Sequence, residues 1–272
     1  MKKKIITLLL LFLFLTACFV IFNVYASNSI NLKTLKSRAS LGDAKAEFAL
    51  GKLYFHGRGV PKDYSKALFW FKKSALQGNA KGEYMLGFYY IYGLGIQRNF
   101  SKALHWFNKS AAQGNSYGEY GVGVLSYYGQ GVPQSYSKAL YLFKKSALQG
   151  NPLGEFFLGL MYYDGKGVHR NYSKALYLFK KSASQGYAKA EGMLGDLYYK
   201  GRGVKQSYSK AAYWLKKSAV HGNAGGENDI GMLYYYGRGV SKDYTKALYW
   251  LKKSSAQGNF KTKQFLKKID DR

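Results

Sequence analysis

Cysteine occurs once in 272 residues, at Cys18, and proline only three times. Acidic residues number 14 against 42 lysines and arginines, leaving a formal net charge of +28. A lone cysteine excludes an internal disulfide, thiolate metal sites of the usual spacing and a cysteine pair for redox work. Stability therefore has to come from packing. Few prolines among 47% hydrophobic residues point to a folded, mostly helical chain rather than a disordered one. The four histidines, His56, His105, His169 and His221, fall at unrelated positions and form no ligand spacing such as H-E-x-x-H. No metal or cofactor is expected.

The chain opens with "MKKKIITLLLLFLFLTACFVIFNVYASNS". Three lysines before a long apolar run are the layout of a secretory signal. "VYA" fits cleavage after Ala26, which assigns 1–26 to the signal and removes Cys18. Cutting there removes three lysines and no acid, taking the charge from +28 to +25. "LTAC" also resembles a lipoprotein box with Cys18 as the lipid acceptor, although "FVIFNV" after it stays apolar. The run is also long enough to serve as an uncleaved anchor. In each case export is expected, to the periplasm or the medium.

What the chain has in abundance is repetition. "YSKALYLFKKSALQGN" at Tyr136 returns almost unchanged at Tyr172 as "YSKALYLFKKSASQGY". Glu47, Glu83, Glu119, Glu155, Glu191 and Glu227 stand 36 residues apart without exception. Six units follow, 44–79, 80–115, 116–151, 152–187, 188–223 and 224–259. Each reads as two helices. Asp43, Asn79, Asn115, Asn151 and Asn223 suit the start of the first, and Asp63, Asn99, Ser135, Asn171, Ser207 and Asp243 the start of the second, because their short side chains accept from free N–H groups. The column of Gly57, Gly93, Gly129, Gly165, Gly201 and Gly237 supplies a left-handed stop. Mid-helix glycines from Gly51 to Gly231 and alanines from Ala67 to Ala247 mark close helix approach, since an interior glycine costs roughly 1 kcal/mol against alanine. The Trp70, Trp106, Leu142, Leu178, Trp214 and Trp250 column is expected to fill the core between units. Residues 27–43 read as an N-terminal cap. Residues 260–272 read as a C-terminal cap, with Lys263 and Lys267 in place of the glutamate and glycine.

The recurring pattern "A..E..LG.LY..G.GV..DY.KAL.W..KSA.QGN", as it stands in units one and six, resembles the Sel1-like repeat family, a relative of the tetratricopeptide repeats. The likeness spans 44–259. It implies an all-α fold, a right-handed superhelical α/α solenoid of six helix-turn-helix repeats with capping helices. It also implies a non-enzymatic scaffold or adaptor, of a kind linked to host contact, envelope functions or toxin neutralisation. The acidic residue that the family usually places before "QG" is absent here. Lys66 and Lys73 and their equivalents are retained, so the positive charge is left in excess.

Two surfaces are candidates for function. Four-residue steps put Tyr84, Phe88 and Tyr92 on one face of unit two. Tyr120, Val124 and Tyr128 follow in unit three, and Phe156 and Leu160 in unit four. By the resemblance these first helices line the concave side, so the eight residues are the expected groove for a partner protein or peptide, one of acidic character given the lysines. The alternative use of the same side chains is packing between repeats. The lysine columns are the second surface, read either as a solvated convex face or as a binder of polyanions or of an anionic envelope surface. Nucleic acid is not an expected partner of an exported chain, and a monomer is expected. Enzyme signals are weak throughout. The periodic glutamates read as structural, "GRGV" as a turn between helices, and Ser74 and its equivalents lack a paired histidine.

Overall fold

A computed structural model describes residues 32–270. Every described element is helical. Helix α1 spans 32–40, and six helix pairs follow. They are α2 (Ala44–His56) with α3 (Tyr64–Leu76), α4 (Ala80–Tyr92) with α5 (Phe100–Ala112), and α6 (Ser116–Tyr128) with α7 (Tyr136–Leu148). Then come α8 (Pro152–Asp164) with α9 (Tyr172–Ser184), α10 (Ala188–Lys200) with α11 (Tyr208–Val220), and α12 (Ala224–Tyr236) with α13 (Tyr244–Ala256). Helix α14 (Phe260–Asp270) packs on α13. The chain divides into two compact units, one through Gln113 and one from Gly114 onward. Within each, a second helix lies between its own first helix and the first helix that follows.

The helix boundaries are local chemistry. The Asn115 side chain accepts from the N–H groups of Tyr117 and Gly118, and Gly129 ends the same helix at φ 68°. Asp63, Asn99, Ser135, Asn171, Ser207 and Asp243 each accept from the N–H three residues on. Tyr187 stands at the start of α10 and makes no side-chain cap bond.

The close approach of paired helices has a specific cause. A Cβ at Gly159 would lie 2.7 Å from the Phe179 ring, and one at Gly123 2.7 Å from Phe143. Phe71, Phe107, Phe143, Phe179, Leu215 and Leu251 are the buried wedges facing these glycines. The Trp70 column was expected to fill the core, but it sits one residue earlier than the buried wedges, and its tryptophans are only half-buried, Leu178 alone in it being buried. An indole there has a lysine ammonium over its ring, 5.0 Å from Trp250 and 5.3 Å from Trp214, which holds one face near water. Trp214 and Trp250 still pack on neighbouring clusters.

Candidate functional site

The most regular polar feature of the chain is structural. All six periodic glutamates are buried. In each repeat Oε1 faces the lysine ammonium of the second helix at 3.0–3.7 Å. In five repeats Oε2 accepts from a glutamine Nε2 at 2.6–3.0 Å. The fifth repeat has His221 there instead, with Nδ1 2.7 Å from Glu191. The serine column donates to the carbonyl of the first residue of the first helix at 2.6–2.7 Å. A Lys-Ser-x-x-Gln patch, with His221 for the glutamine in the fifth repeat, thus locks each second helix to the start of its first. This explains why "KKSALQG" hardly varies, and it gives Glu47, Ser74 and their equivalents a holding role.

The expected groove residues divide between two jobs. Tyr84 stacks on Phe107 at 5.6 Å, Tyr120 lies 6.3 Å from Phe143, and Phe156 lies 5.7 Å from Phe179. These three lie against the wedge of their own repeat, and Phe156 is almost fully buried. Phe88 and Val124 are half-buried against local clusters. Tyr92 and Tyr128 are exposed at the ends of α4 and α6, and Leu160 is half-buried on α8.

Where this aromatic pairing stops, the surface hollows. The column of Phe48, Tyr84, Tyr120 and Phe156 continues as Gly192 and Asn228, and its wedge partners become Leu215 and Leu251. In the unit from Gly114 onward, α8, α10 and α12 border an open cavity of about 500 Å³ lined by Phe156, Leu160, Asp164, Gly192, Asp196 and Asp229 among others. A second, of about 410 Å³, lies over α10 and α12 and shares Asp196 and Asp229, with Lys200, Met232, Tyr236 and Arg238.

The carboxylates in this hollow stand apart from the rest. Of the 14 acidic residues, six are the buried glutamates. Asp43, Asp63 and Asp243 cap helices, and Asp270 and Asp271 lie at the C-terminus. The remainder is Asp164, Asp196 and Asp229, and all three line the larger cavity. Asp196 accepts from the Tyr163 hydroxyl at 2.6 Å and pairs with Lys200 at 2.5 Å. Arg202 donates to the same Tyr163 oxygen at 2.8 Å. Asp229 accepts from neighbouring Asn228 at 2.8 Å and forms no ion pair among the described residues. Its side chain is exposed to solvent at the cavity, with protein packed around its base. Desolvation pushes it above the ordinary carboxyl range, and the nearby Asp196 charge adds to the rise against the Asn228 bond and Lys200. Sequence reasoning passed over Asp229. The available signal was subtraction, setting aside every acid in a periodic or capping column.

A family model described as Sel1 repeat matches residues 44–79, 80–115, 116–151, 152–187, 188–223 and 224–259. A Sel1 repeat protein from Oxalobacter formigenes is similar in structure, with TM-score 0.70 and 30% identity, over 80% of this chain and 89% of that one. A protective antigen of uropathogenic Escherichia coli with an SLR fold superimposes with TM-score 0.65 and 35% identity, over 85% of this chain and 50% of that one. The secretory immunoglobulin A-binding protein EsiB of Escherichia coli O6:H1 is 35% identical over 74 residues, 27% of this chain and 14% of EsiB. The chain thus spans half of the antigen structure and a small part of EsiB.

Proposed function

The chain belongs to the Sel1 repeat family, whose repeats serve as protein-interaction scaffolds, and from that premise we propose that it is an exported, non-enzymatic adaptor that receives a partner segment on its first helices. The observation that carries this is the convergence of Asp164, Asp196 and Asp229 in one hollow of a chain whose charge is +28. A carboxylate kept there without a structural duty, as at Asp229, suits a lysine, arginine or terminal amine of the partner. Phe156, Leu160 and Met232 offer apolar walls for the flanking side chains. Tyr120, Val124 and Tyr128 extend this face on α6, and Tyr84, Phe88 and Tyr92 form the matching face of α4 in the first unit. The acidic partner expected from net charge alone is replaced here by one that presents a cation at the hollow. EsiB binds immunoglobulin, and a host protein falls within this reading, as does a toxin.

The test is affinity capture from envelope and secreted fractions, comparing the wild type with the Asp164→Asn, Asp229→Asn double variant. Neither carboxylate holds an ion pair, so the fold should be unchanged by circular dichroism. Affinity for the captured partner should fall at least about tenfold, as loss of a charge-assisted hydrogen bond does. It should also weaken as pH falls through the raised Asp229 value, above the ordinary aspartate range, because a protonated carboxyl no longer attracts the cation. A stoichiometric partner held equally by both forms would place the binding site elsewhere.

A further inference from the structure

The second helices of the unit from Gly114 onward carry an exposed face outside the hollow, of which only Lys145 and its equivalents are tied into the fold. On α7, Tyr141, Lys144, Lys145 and Leu148 are spaced i, i+3, i+4 and i+7, so they share one side of the helix. The same columns give Tyr177 and Lys180 on α9, Tyr213, Lys216 and Val220 on α11, and Tyr249 and Lys252 on α13. The four tyrosines are exposed by 55–63%, and Leu148 by 87%. Lys145, Lys181 and Lys253 lie 5.6–6.0 Å from the Tyr141, Tyr177 and Tyr249 rings, so each of these rings is flanked by an ammonium. None of the four helices contains an aspartate or glutamate. The second lysine of each pair is drawn to a buried glutamate, as Lys145 is to Glu119 at 3.0 Å. The first, Lys144, Lys180, Lys216 or Lys252, is exposed and forms no ion pair with a described carboxylate.

We infer that this face docks on an anionic lipid bilayer. Lysines without carboxylates are drawn to acidic headgroups. Tyrosine, with an apolar ring and a polar tip, suits the headgroup level, and lysine stems lie along apolar surface while their charges stay in water. Leu148 and Val220 favour lipid over a soluble polyanion, because a polyanion has no apolar layer to receive them. The surface differs from the partner hollow, so either can be occupied without the other.

Lysine acetylation read by mass spectrometry tests this with the full chain. It is mixed with phosphatidylcholine vesicles, with vesicles that also contain phosphatidylglycerol, or with heparin. Any attachment through the leading apolar run is common to both lipid mixtures. Labelling of Lys144, Lys180, Lys216 and Lys252 should slow about fivefold with the anionic vesicles only, as electrostatic docking requires. Lys189 and Lys200, in the hollow, should change little. Replacing Tyr141, Tyr177, Tyr213 and Tyr249 by serine should abolish most of that protection with helicity unchanged. The Leu148→Ser, Val220→Ser variant, altered only at exposed sites, should also reduce it. Equal labelling with both lipids overturns the inference. Protection by heparin alone, or full protection of both variants, would assign the face to soluble polyanions instead.

Discussion

Lys180 and Lys181 are neighbours with the same chemistry and different duties. Lys181 lies 3.0 Å from Glu155, a carboxylate sealed from water, whereas Lys180 points to solvent. Lys181 is itself 43% exposed, so solvent screens the pair, and Lys181→Met, which leaves the buried Glu155 carboxylate with only its glutamine, should cost about 1–2 kcal/mol in urea unfolding. Lys180→Met should stay within about 0.5 kcal/mol. Equal effects would mean that Glu155 does not depend on its lysine. A second contrast concerns Asp243, whose carboxyl is held below its ordinary value of 3.8 by the Lys246 side chain and then by the Lys246 N–H. A lowered folded value contributes stability that is present above the unfolded value and lost as pH falls through the folded one. Asp243→Asn keeps a cap of the kind seen at Asn99 and Asn171. The variant should be less stable than the wild type above pH 3.8, and the gap should close below it. A gap that persists in acid would show that charge is not its source.

At the scale of the element, the same substitution should change sign with position. At Gly231 an added Cβ would lie 2.8 Å from Leu251 Cγ and 3.2 Å from the Ala247 carbonyl oxygen. The backbone atom cannot swing aside. Overpacking of about 1–3 kcal/mol therefore outweighs the gain in helix propensity, and Gly231→Ala should lower the thermal midpoint. Gly192 sits on the open side of α10, where the nearest obstruction is the Ser218 hydroxyl at 3.3 Å. Gly192→Ala should stabilise the helix by roughly 0.5–1 kcal/mol. If both variants melt early, Gly192 too is a packing glycine.

At the scale of the whole molecule, most contacts within each unit run from a helix to its sequence neighbours, with fewer between successive first helices such as α6 with α8 and α10 with α12. Such a chain behaves as a row of units coupled to the next rather than as one core. Leu251→Ala, a buried truncation in the last repeat, should cost about 2–5 kcal/mol. Its effect should be local: hydrogen exchange should show amide protection lost in α12–α14 well before α6–α9. Uniform loss throughout these helices would argue for a single cooperative block.

Much of the fold was legible in one dimension. A strict 36-residue period, caps before each helix and glycines after it determine helix pairs, because capping and left-handed stops depend on nearest neighbours in the chain. The periodic glutamates could be read as structural without knowing their partners. Three things were decided only in space. The core wedge is the Phe71 column and not the adjacent tryptophans, since one residue turns a side chain by 100° on a helix. The lysines of the Lys73 column are committed to buried carboxylates, which leaves Lys144 and its equivalents as the uncommitted ones. And the hollow opens in repeats four to six, where Gly192 and Asn228 interrupt the aromatic packing and three distant aspartates meet. Sequence spacing can place each of these on a helix face, but only packing between repeats decides which faces are filled and which are left open to a partner.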